Sequence, residues 1–538
     1  MDARNYVVSI NVSEDYQVQE VLALIATPLV LYLRGRVEVC IQMELTISAV
    51  WFCLAFFVVT AIITKIGSRR ITFDHVRTWP PPPEVTVIAV LRLLPTLCTK
   101  GPAAAMHYLY SKFGSVFTVS FLWKRITFLV GREASGMFFG ASDSEVTYGN
   151  IYEFTVPVFG QEIGFDVDYT TQREQNLFFV ESLKPAQLRN HVEPMLQEVE
   201  KFFAKWGEEG VVDLKDEFQE LLMLISTRCL VGKEVREKMM YGQFLALFDD
   251  VEKGLNFVSF MFPYMWTPTN RRRDKARSKL AGILSEIVMA RKSSNCVVVH
   301  DDDDVLQTLI DSTYKSGRAT TVTEVSGLII ALITAGKHTS THTSMWTGAC
   351  LLSSVKFLEA ALEEQKQIIG KYQDRIDYNV LSEMGILHSC IKEAVRMYPP
   401  VPTLFRKAQK DISVRTEEGK EYGISRGNTL VNLVVLNGML PQIYKDPEVY
   451  DPDRFRPGRE EDKVGGKFSY TSFGGGRHTC AGEAYAYMQI KIIFSHLLRN
   501  FELKLNSPFP KPDWSKITPQ PKGKVTVSYK RRRLSSNL

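Results

Sequence analysis

The sequence predicts a mainly α-helical protein with small β-sheets, preceded by one transmembrane helix. Helical periodicity covers most of residues 185–407, and the apolar stretch 327–352 is long enough for a helix buried at the centre. Twenty uncharged residues, 45–64, are just long enough to span a hydrocarbon core of about 30 Å. Short runs of β-branched and aromatic residues predict strands near residues 412–414, 429–434 and 525–529.

The apolar segment 45–64 is interpreted as a membrane anchor. Lys65, Arg69 and Arg70 follow it directly, so the positive-inside rule places the C-terminal part in the cytosol. A cleaved signal peptide is the alternative, but the apolar run is long and no small-residue cleavage site stands out. We therefore expect a single-pass protein of the endoplasmic reticulum membrane with a cytosolic domain.

The chain divides into an N-terminal appendage and one large domain. Residues 1–42 form an extension whose place in the mature protein stays open, because Met43 stands just before the anchor. Residues 65–84 are basic and then proline-rich, which favours a stiff extended linker. Residues 85–538 form the large domain, in which segment 114–130 reads as a β-hairpin.

Composition excludes two classes of function. The net charge is only +5 over 538 residues and the basic residues are dispersed, so nucleic-acid binding is not expected. The eight cysteines include no Cys-x-x-Cys pair and follow no regular spacing, so neither a disulfide framework nor a zinc site is predicted. A reduced, cytosol-facing domain follows from this.

The strongest local signal is the glycine-rich segment from Phe473 through Cys480 to Gly482, directly before a predicted helix that starts near Glu483. Glycines allow a tight turn with backbone amides aimed at sulfur, and the positive end of the following helix favours a thiolate. A buried, inert cysteine is the usual interpretation of a single cysteine. The complete pattern instead indicates a metal-binding thiolate.

This segment resembles the haem-binding loop of the cytochrome P-450 superfamily, which reads Phe-x-x-Gly-x-Arg/His-x-Cys-x-Gly. Phe473, Gly476, His478, Cys480 and Gly482 occupy its positions. The resemblance implies a cytochrome P-450 fold and haem b, with Cys480 as the axial ligand of the iron. Thiolate ligation pushes electron density onto iron and favours cleavage of the O–O bond.

A second match lies upstream, where Glu393 and Arg396 are three residues apart on one helix face. Alone, they predict a surface ion pair worth a few tenths of a kcal/mol. They resemble the Glu-x-x-Arg motif of the superfamily, and the segment around Arg454 resembles its Pro-Glu-Arg-Phe motif. The resemblance implies a buried triad of Glu393, Arg396 and Arg454 behind the haem loop.

The third match is the segment Ala335-Gly336-Lys337-His338-Thr339 in the long apolar helix. Glycine in mid-helix costs about 1 kcal/mol against alanine, which suggests close packing against this helix, whereas a kinked structural helix is the alternative. In the superfamily this segment passes over the distal haem face, where threonine manages proton delivery during oxygen activation. Thr339 and His338 are therefore predicted to be catalytic.

Residues 152–169 and 345–349 resemble the sterol 14α-demethylases, particularly the plant obtusifoliol enzymes. The resemblance implies successive oxidations of a sterol methyl group, with electrons from NADPH through a separate cytochrome P-450 reductase. No flavin domain or Gly-x-Gly-x-x-Gly fingerprint is present in the chain. By the family pattern, the residues expected to bind the haem propionates are Tyr152, Arg406 and His478, and those expected to line the substrate pocket are Phe159, Phe165, Thr334, Ala335, His342 and Thr403.

Several positions depart from the demethylase pattern. An apolar residue is expected at Thr334, glutamine at Lys337, an aliphatic residue at His342, a basic propionate partner near Asn176, and a Leu-Ile-Met-Leu-Leu-like run at residues 401–405. Two enzymes are compatible with this: a true obtusifoliol 14α-demethylase, and a divergent relative acting on another sterol or a triterpene, which the departures favour. A non-catalytic haem- or sterol-binding protein is a third alternative, against which Thr339 argues.

Overall fold

The computed structural model describes residues 79–534, apart from 87–88, 90–91, 94, 97–100, 122–123, 234–235, 237–240 and 294–303. All of these described residues except those in Ser120–Lys124 belong to one compact unit. The predicted anchor and the extension before it lie outside the described residues. None of the helices described is long and apolar enough to cross a membrane.

Helices make up most of the described chain. The α-helices are α1 Pro102–Phe113, α2 Arg132–Gly140, α3 Val156–Phe159, α4 Tyr169–Ser182, α5 Pro185–Ala204, α6 Leu214–Ser226, α7 Tyr241–Lys253, α8 Phe257–Met261, α9 Pro268–Ser293, α10 Val305–Asp311, α11 Val322–Leu352, α12 Val355–Tyr372, α13 Tyr378–Glu383, α14 Gly385–Met397, α15 Val434–Asn437, α16 Glu461–Val464 and α17 Glu483–Asn500. Short 3₁₀ or π turns occupy Glu153–Thr155, Gly164–Asp166, Thr227–Val231, Pro452–Phe455 and Gly476–His478.

The strands form small sheets at the edges of the helical body. They are β1 Glu84–Val85, β2 Val116–Phe121, β3 Lys124–Leu129, β4 Val146–Thr147, β5 Glu209–Asp213, β6 Leu404–Ala408, β7 Ile412–Arg415, β8 Glu421–Ile424, β9 Thr429–Asn432, β10 Phe501–Leu505, β11 Pro512–Asp513, β12 Gln520–Pro521 and β13 Thr526–Arg531. One sheet has the order β1-β2-β3-β9-β6-β4, a second has the order β10-β13-β5, and β7-β8 and β11-β12 form two pairs.

The long helix α11 runs through the main hydrophobic core. It begins at a capping box, in which Thr321 Oγ1 accepts from the Glu324 amide at 3.1 Å and Glu324 Oε2 accepts from the Thr321 amide at 2.8 Å. Most of its side chains are buried, as a helix that is apolar on all faces requires. Helices α6, α9 and α14 pack against it.

The predicted mainly helical fold with small sheets is confirmed, and so are the hairpin of β2 and β3 and the helix that starts at Glu483. The predicted strand 429–434 is shorter, because it ends at Asn432 and α15 begins at Val434. The proline-rich segment is held by the domain at two points. Pro80 O accepts from the Gly423 amide at 2.8 Å, and Pro83 O accepts from the Thr118 amide at 2.9 Å.

Candidate active site

The cysteine loop is a tight turn fixed by glycine geometry. Gly474 and Gly476 have φ angles of 76° and 64°, in the left-handed region that favours glycine. A Cβ on Gly476 would lie 2.1 Å from the carbonyl oxygen of Phe139, so no larger residue fits. The Cys480 amide donates to Phe473 O at 2.8 Å, and α17 begins three residues after the cysteine.

Three groups act on the pKa of Cys480. Burial raises the pKa of the thiol, and the nearby Glu483 carboxylate acts in the same direction. The Gly482 amide donates to the sulfur and lowers the pKa, but burial outweighs it. The net effect of these groups is to raise the pKa, and a cation against the sulfur would stabilise the thiolate.

A cavity of about 360 Å³ separates Cys480 from helix α11. Cys480, Phe473 and Gly482 lie on one side of it, and α11 forms the other. The residues that α11 contributes share one helix face and are Leu328, Ala331, Leu332, Ala335, Gly336, Thr339 and Ser340. At Gly336 a Cβ would meet nothing within 4 Å, so the absent side chain leaves open space. Small residues thus keep the wall opposite the sulfur free of bulk.

The hydroxyl of Thr339 borders this cavity. It donates to the carbonyl oxygen of Ala335 at 2.7 Å, one turn earlier in the helix. Phe159 and Phe165 also line the cavity, as predicted. Asn176 lines it too, close to a position at which the family pattern predicts a basic residue.

The remaining predicted pocket residues lie elsewhere. At about 100° per residue, Thr334 lies about 140° around α11 from Thr339, outside the face that lines the cavity, and it is buried there. His342 is buried further along the helix, and Thr403 precedes β6. None of these three is among the residues described as lining the cavity.

His338 also lies outside that lining. Its Nδ1 is 3.4 Å from Glu252 Oε2, and its Nε2 is 2.5 Å from Thr518 Oγ1. His338 is thus adjacent in sequence to Thr339 but is directed to a polar network beside the cavity.

A cationic and aromatic cluster lies at one edge of the cavity. Arg406 is 4% exposed and has no carboxylate partner in the part of the chain that the structure describes. Its guanidinium lies 3.9 Å from the ring centre of Tyr148, and it donates to Phe405 O at 2.9 Å. The Phe405 amide donates to the Tyr152 hydroxyl at 3.1 Å. A buried guanidinium without a counter-charge fits an anionic ligand group.

His478 joins this cluster through Tyr148, with ring centres 4.9 Å apart. Its Nε2 is 3.2 Å from Asp143 Oδ1. Burial and the charge of Arg406 lower the pKa of His478, and the carboxylate of Asp143 offsets this only in part. Burial likewise raises the pKa of Tyr148 and Tyr152, so both hydroxyls stay protonated and can donate.

The three charged residues predicted as a triad contact one another, and all are 0% exposed. Glu393 accepts from Arg396 Nε at 2.7 Å and from Arg454 Nε at 2.8 Å. The Asp451 amide also donates to Glu393 at 3.0 Å. The arginines use their remaining donors on backbone carbonyls, including Pro447 O and Val449 O, and on Glu461 Oε2.

Four further residues that line the cavity were not predicted from the sequence: Tyr148, Gln172, Gln175 and Phe179. The spacing of Leu328, Ala331, Leu332 and Ala335 is the signal that predicts one helix face. No comparable local pattern predicts Tyr148, because its place in the site depends on its contact with Arg406, which is far away in the sequence.

The donor set fits an iron porphyrin. Cys480 offers a soft sulfur ligand facing a mostly apolar cavity, and Arg406, Tyr152 and His478 offer cationic or hydroxyl donors at its edge. An iron ion against the sulfur would also supply a positive charge that stabilises the thiolate. These residues would hold haem by its metal and by its carboxylates.

Comparisons with known proteins agree with this assignment. The family model described as Cytochrome P450 matches residues 80–527. The chain is 46% identical over 486 residues to a sterol 14-demethylase of Arabidopsis thaliana, covering 89% of this chain and 97% of the relative. It is 49% identical over 435 residues to an obtusifoliol 14-alpha demethylase of Sorghum bicolor, covering 81% and 87%.

More distant relatives extend the comparison. A lanosterol 14-alpha demethylase of Bos taurus is 33% identical over 436 residues, covering 80% of this chain and 84% of that protein. The solved structure of a retinoic acid-bound cyanobacterial CYP120A1 superimposes with a TM-score of 0.72 at 20% identity, covering 85% of this chain and all of that one. This last similarity supports the fold alone.

Proposed function

Because the chain belongs to the cytochrome P450 family and is a monooxygenase of that family, we propose that it oxidises a sterol or a triterpene with haem held by Cys480. The observation that carries this proposal is the cavity shared by Cys480 and the small-residue face of α11. The sterol demethylases among its relatives support a polycyclic substrate. A mostly apolar cavity with few polar groups suits such a molecule.

Different residues of the site would have different roles in binding haem and in proton transfer. Haem, when bound, supplies the activation of dioxygen. Cys480 would bind its iron, while Arg406, Tyr152 and His478 would bind its propionates by charge-assisted or phenolic hydrogen bonds. Ala335 and Gly336 leave space in the cavity and would leave room beside a bound haem. The Thr339 hydroxyl, which now donates to Ala335 O, would turn to hold or pass a proton in that space.

The substrate can be either of two classes. The high identity to plant obtusifoliol demethylases favours a sterol that loses its 14α-methyl group. The departures at Thr403 and its neighbours favour another sterol or a pentacyclic triterpene. Phe405, from the departing segment, packs against Tyr152 and Phe260 with ring centres 6.4 and 5.5 Å apart. A change in segment 401–405 therefore alters the packing at the edge of the cavity. For this reason we favour another sterol or a triterpene as the substrate.

Incubating the full-length protein with cytochrome P450 reductase and NADPH separates these substrates. We expect a pentacyclic triterpene to gain one oxygen atom, detected by mass spectrometry, without release of formate. Obtusifoliol, the matched control, should give little product. Stoichiometric formate from obtusifoliol, with no triterpene product, would instead establish the true 14α-demethylase. In this proposal the reductase supplies the electrons from NADPH, as the family resemblance implies.

We also propose that the protein is bound to the endoplasmic reticulum membrane, with the catalytic domain in the cytosol. The predicted anchor 45–64 supports this, and so does an apolar patch at and after α8. The patch consists of large side chains that are 43–78% exposed: Phe257, Val258, Phe262, Tyr264, Met265 and Trp266. Contiguous exposed apolar groups of this kind mark a contact with a membrane or a protein.

Trp266 offers a direct test of this patch. In full-length protein reconstituted in bilayers, lipids carrying a quencher should quench the tryptophan fluorescence less in Trp266→Phe than in the wild type. Trp346→Phe is the control, because Trp346 is buried at 1% exposure and lies outside the patch. Equal quenching in all three proteins would show that the patch does not contact lipid.

A further inference from the structure

The buried face of helix α4 carries polar side chains, where apolar ones are usual. Its buried side chains are those of Gln172, Gln175 and Ser182. A buried polar group is costly unless it is hydrogen-bonded, so each of the three is expected to have a partner. Two of them have one in the fold, and the third does not.

Gln175 and Ser182 are paired within the protein. Gln175 accepts from the Gly164 amide at 2.8 Å. It donates to Glu162 O and to the Tyr314 hydroxyl, each at 3.0 Å. Ser182 donates to the helix carbonyl one turn earlier at 2.9 Å. The polarity of these two residues is therefore explained by local structure.

Gln172 is the unpaired member of this face. Its side chain is 7% exposed and lines the cavity that contains Cys480. Within the part of the chain that the structure describes, its carboxamide makes no hydrogen bond. Asn176, one turn later, also lines the cavity but is exposed, so water can hydrate its amide. A buried, unpaired carboxamide in a cavity wall indicates that a bound molecule supplies its partners.

The lining of the cavity defines the chemistry of this molecule. No charged side chain is among the described residues of the lining, and most of them are apolar. The group that contacts Gln172 is therefore neutral, because a buried ion needs a counter-charge. A carboxamide has donors and an acceptor, and a hydroxyl group can both donate and accept, so the two can exchange hydrogen bonds. A neutral alcohol fits this position.

We propose that Gln172 is a specificity-determining residue, whose carboxamide binds a hydroxyl group of the polycyclic substrate. The inference rests on the proposed monooxygenase function and narrows its substrate to an alcohol. Selectivity of this kind can be large, because a molecule without the hydroxyl leaves the buried amide unpaired. The rings of the substrate would contact the apolar lining, which includes Phe159 and Leu332.

The test is a binding experiment on the full-length holoenzyme, measured by the shift of the haem Soret band when a compound is added. The compounds are a pentacyclic triterpene alcohol and obtusifoliol, each paired with the analogue that lacks its hydroxyl group. Gln172→Met keeps the length of the side chain and removes its polar atoms. The ratio of dissociation constants, analogue over alcohol, should fall about tenfold or more from the wild type to Gln172→Met.

Two further variants serve as comparisons. Gln197→Met removes an exposed amide, which donates to Glu193 at 2.9 Å on α5, and should leave the ratio unchanged. Ser340→Ala removes a hydroxyl that also lines the cavity and belongs to a residue 2% exposed. An unchanged ratio in Gln172→Met, or a fall confined to Ser340→Ala, would overturn the proposal. Loss of haem from Gln172→Met would also overturn it, since the amide would then bind the cofactor.

A second readout needs no substrate. Because the Gln172 amide has no partner among the described residues, Gln172→Met should melt at the wild-type temperature or above it. Gln175→Met should melt several degrees lower, since it leaves the partners of that amide unpaired. An equal fall in both variants would show that Gln172 is structural and would contradict the proposal. No Soret shift with any of the four compounds, with the wild-type melting temperature kept in Gln172→Met, would instead contradict the proposed function.

Discussion

Replacing Glu393 with alanine is expected to abolish haem incorporation. The substitution leaves Arg396 and Arg454 buried at 0% exposure without the carboxylate that joins them. Breaking a buried ion pair by removing one partner costs about 3–5 kcal/mol, a large part of the stability of a typical domain. Because the triad ties α14 to the segment Pro452–Phe455, the cysteine loop that follows should lose its support. Haem content per protein, measured after purification, checks this.

The matched control is Glu383→Ala. Glu383 also bonds a cation, Lys371 at 2.9 Å, but both side chains are largely exposed. Exposed pairs contribute about 0–1 kcal/mol, so this variant should bind haem normally. Normal haem content in Glu393→Ala, with the fold intact by circular dichroism, would contradict the structural role of the triad.

Replacing Cys480 with serine is expected to reduce NADPH-driven oxidation of any substrate to background. The hydroxyl is a poor ligand and cannot supply the electron density by which a thiolate favours O–O cleavage. The sulfur accepts from the Gly482 amide, and serine can keep this contact, so the fold should persist. Turnover and NADPH consumption with the reductase present provide the measurement.

Cys350→Ala is the control for this variant. Cys350 is a buried free thiol on α11, and burial raises its pKa well above the usual range. It does not line the cavity that contains Cys480 among the described residues. Its loss should leave turnover within a few-fold of the wild type. Substantial turnover in Cys480→Ser would contradict the assigned ligand.

Features set by local sequence could be predicted well. The turn at Cys480 follows from Gly474 and Gly476, which adopt the positive φ angles that glycine permits. Glu393 and Arg396 share one helix, so their pairing follows from helical spacing. The arrival of Arg454 at the same carboxylate depends on the fold, and only the family resemblance indicated it.

Features set by the phase of a helix or by distant segments could not be predicted. Thr334 was expected in the pocket, but it lies about 140° around α11 from Thr339 and is not among the residues described as lining the cavity. The network of Lys337, Glu252 and Thr518 joins three elements that are far apart in sequence. The raised pKa of Cys480 also depends on desolvation by residues that only the fold brings around the loop.

The reduced carbon monoxide spectrum of the full-length protein tests the central claim most directly. Carbon monoxide would bind the ferrous iron of a haem held by Cys480, and the position of the Soret band reports which protein atom ligates that iron. We predict the long-wavelength Soret band of thiolate-ligated haem in the wild type and its loss in Cys480→Ser. A wild-type protein that is folded and loaded with haem, but shows the shorter-wavelength band of a nitrogen-ligated haem, would contradict the account.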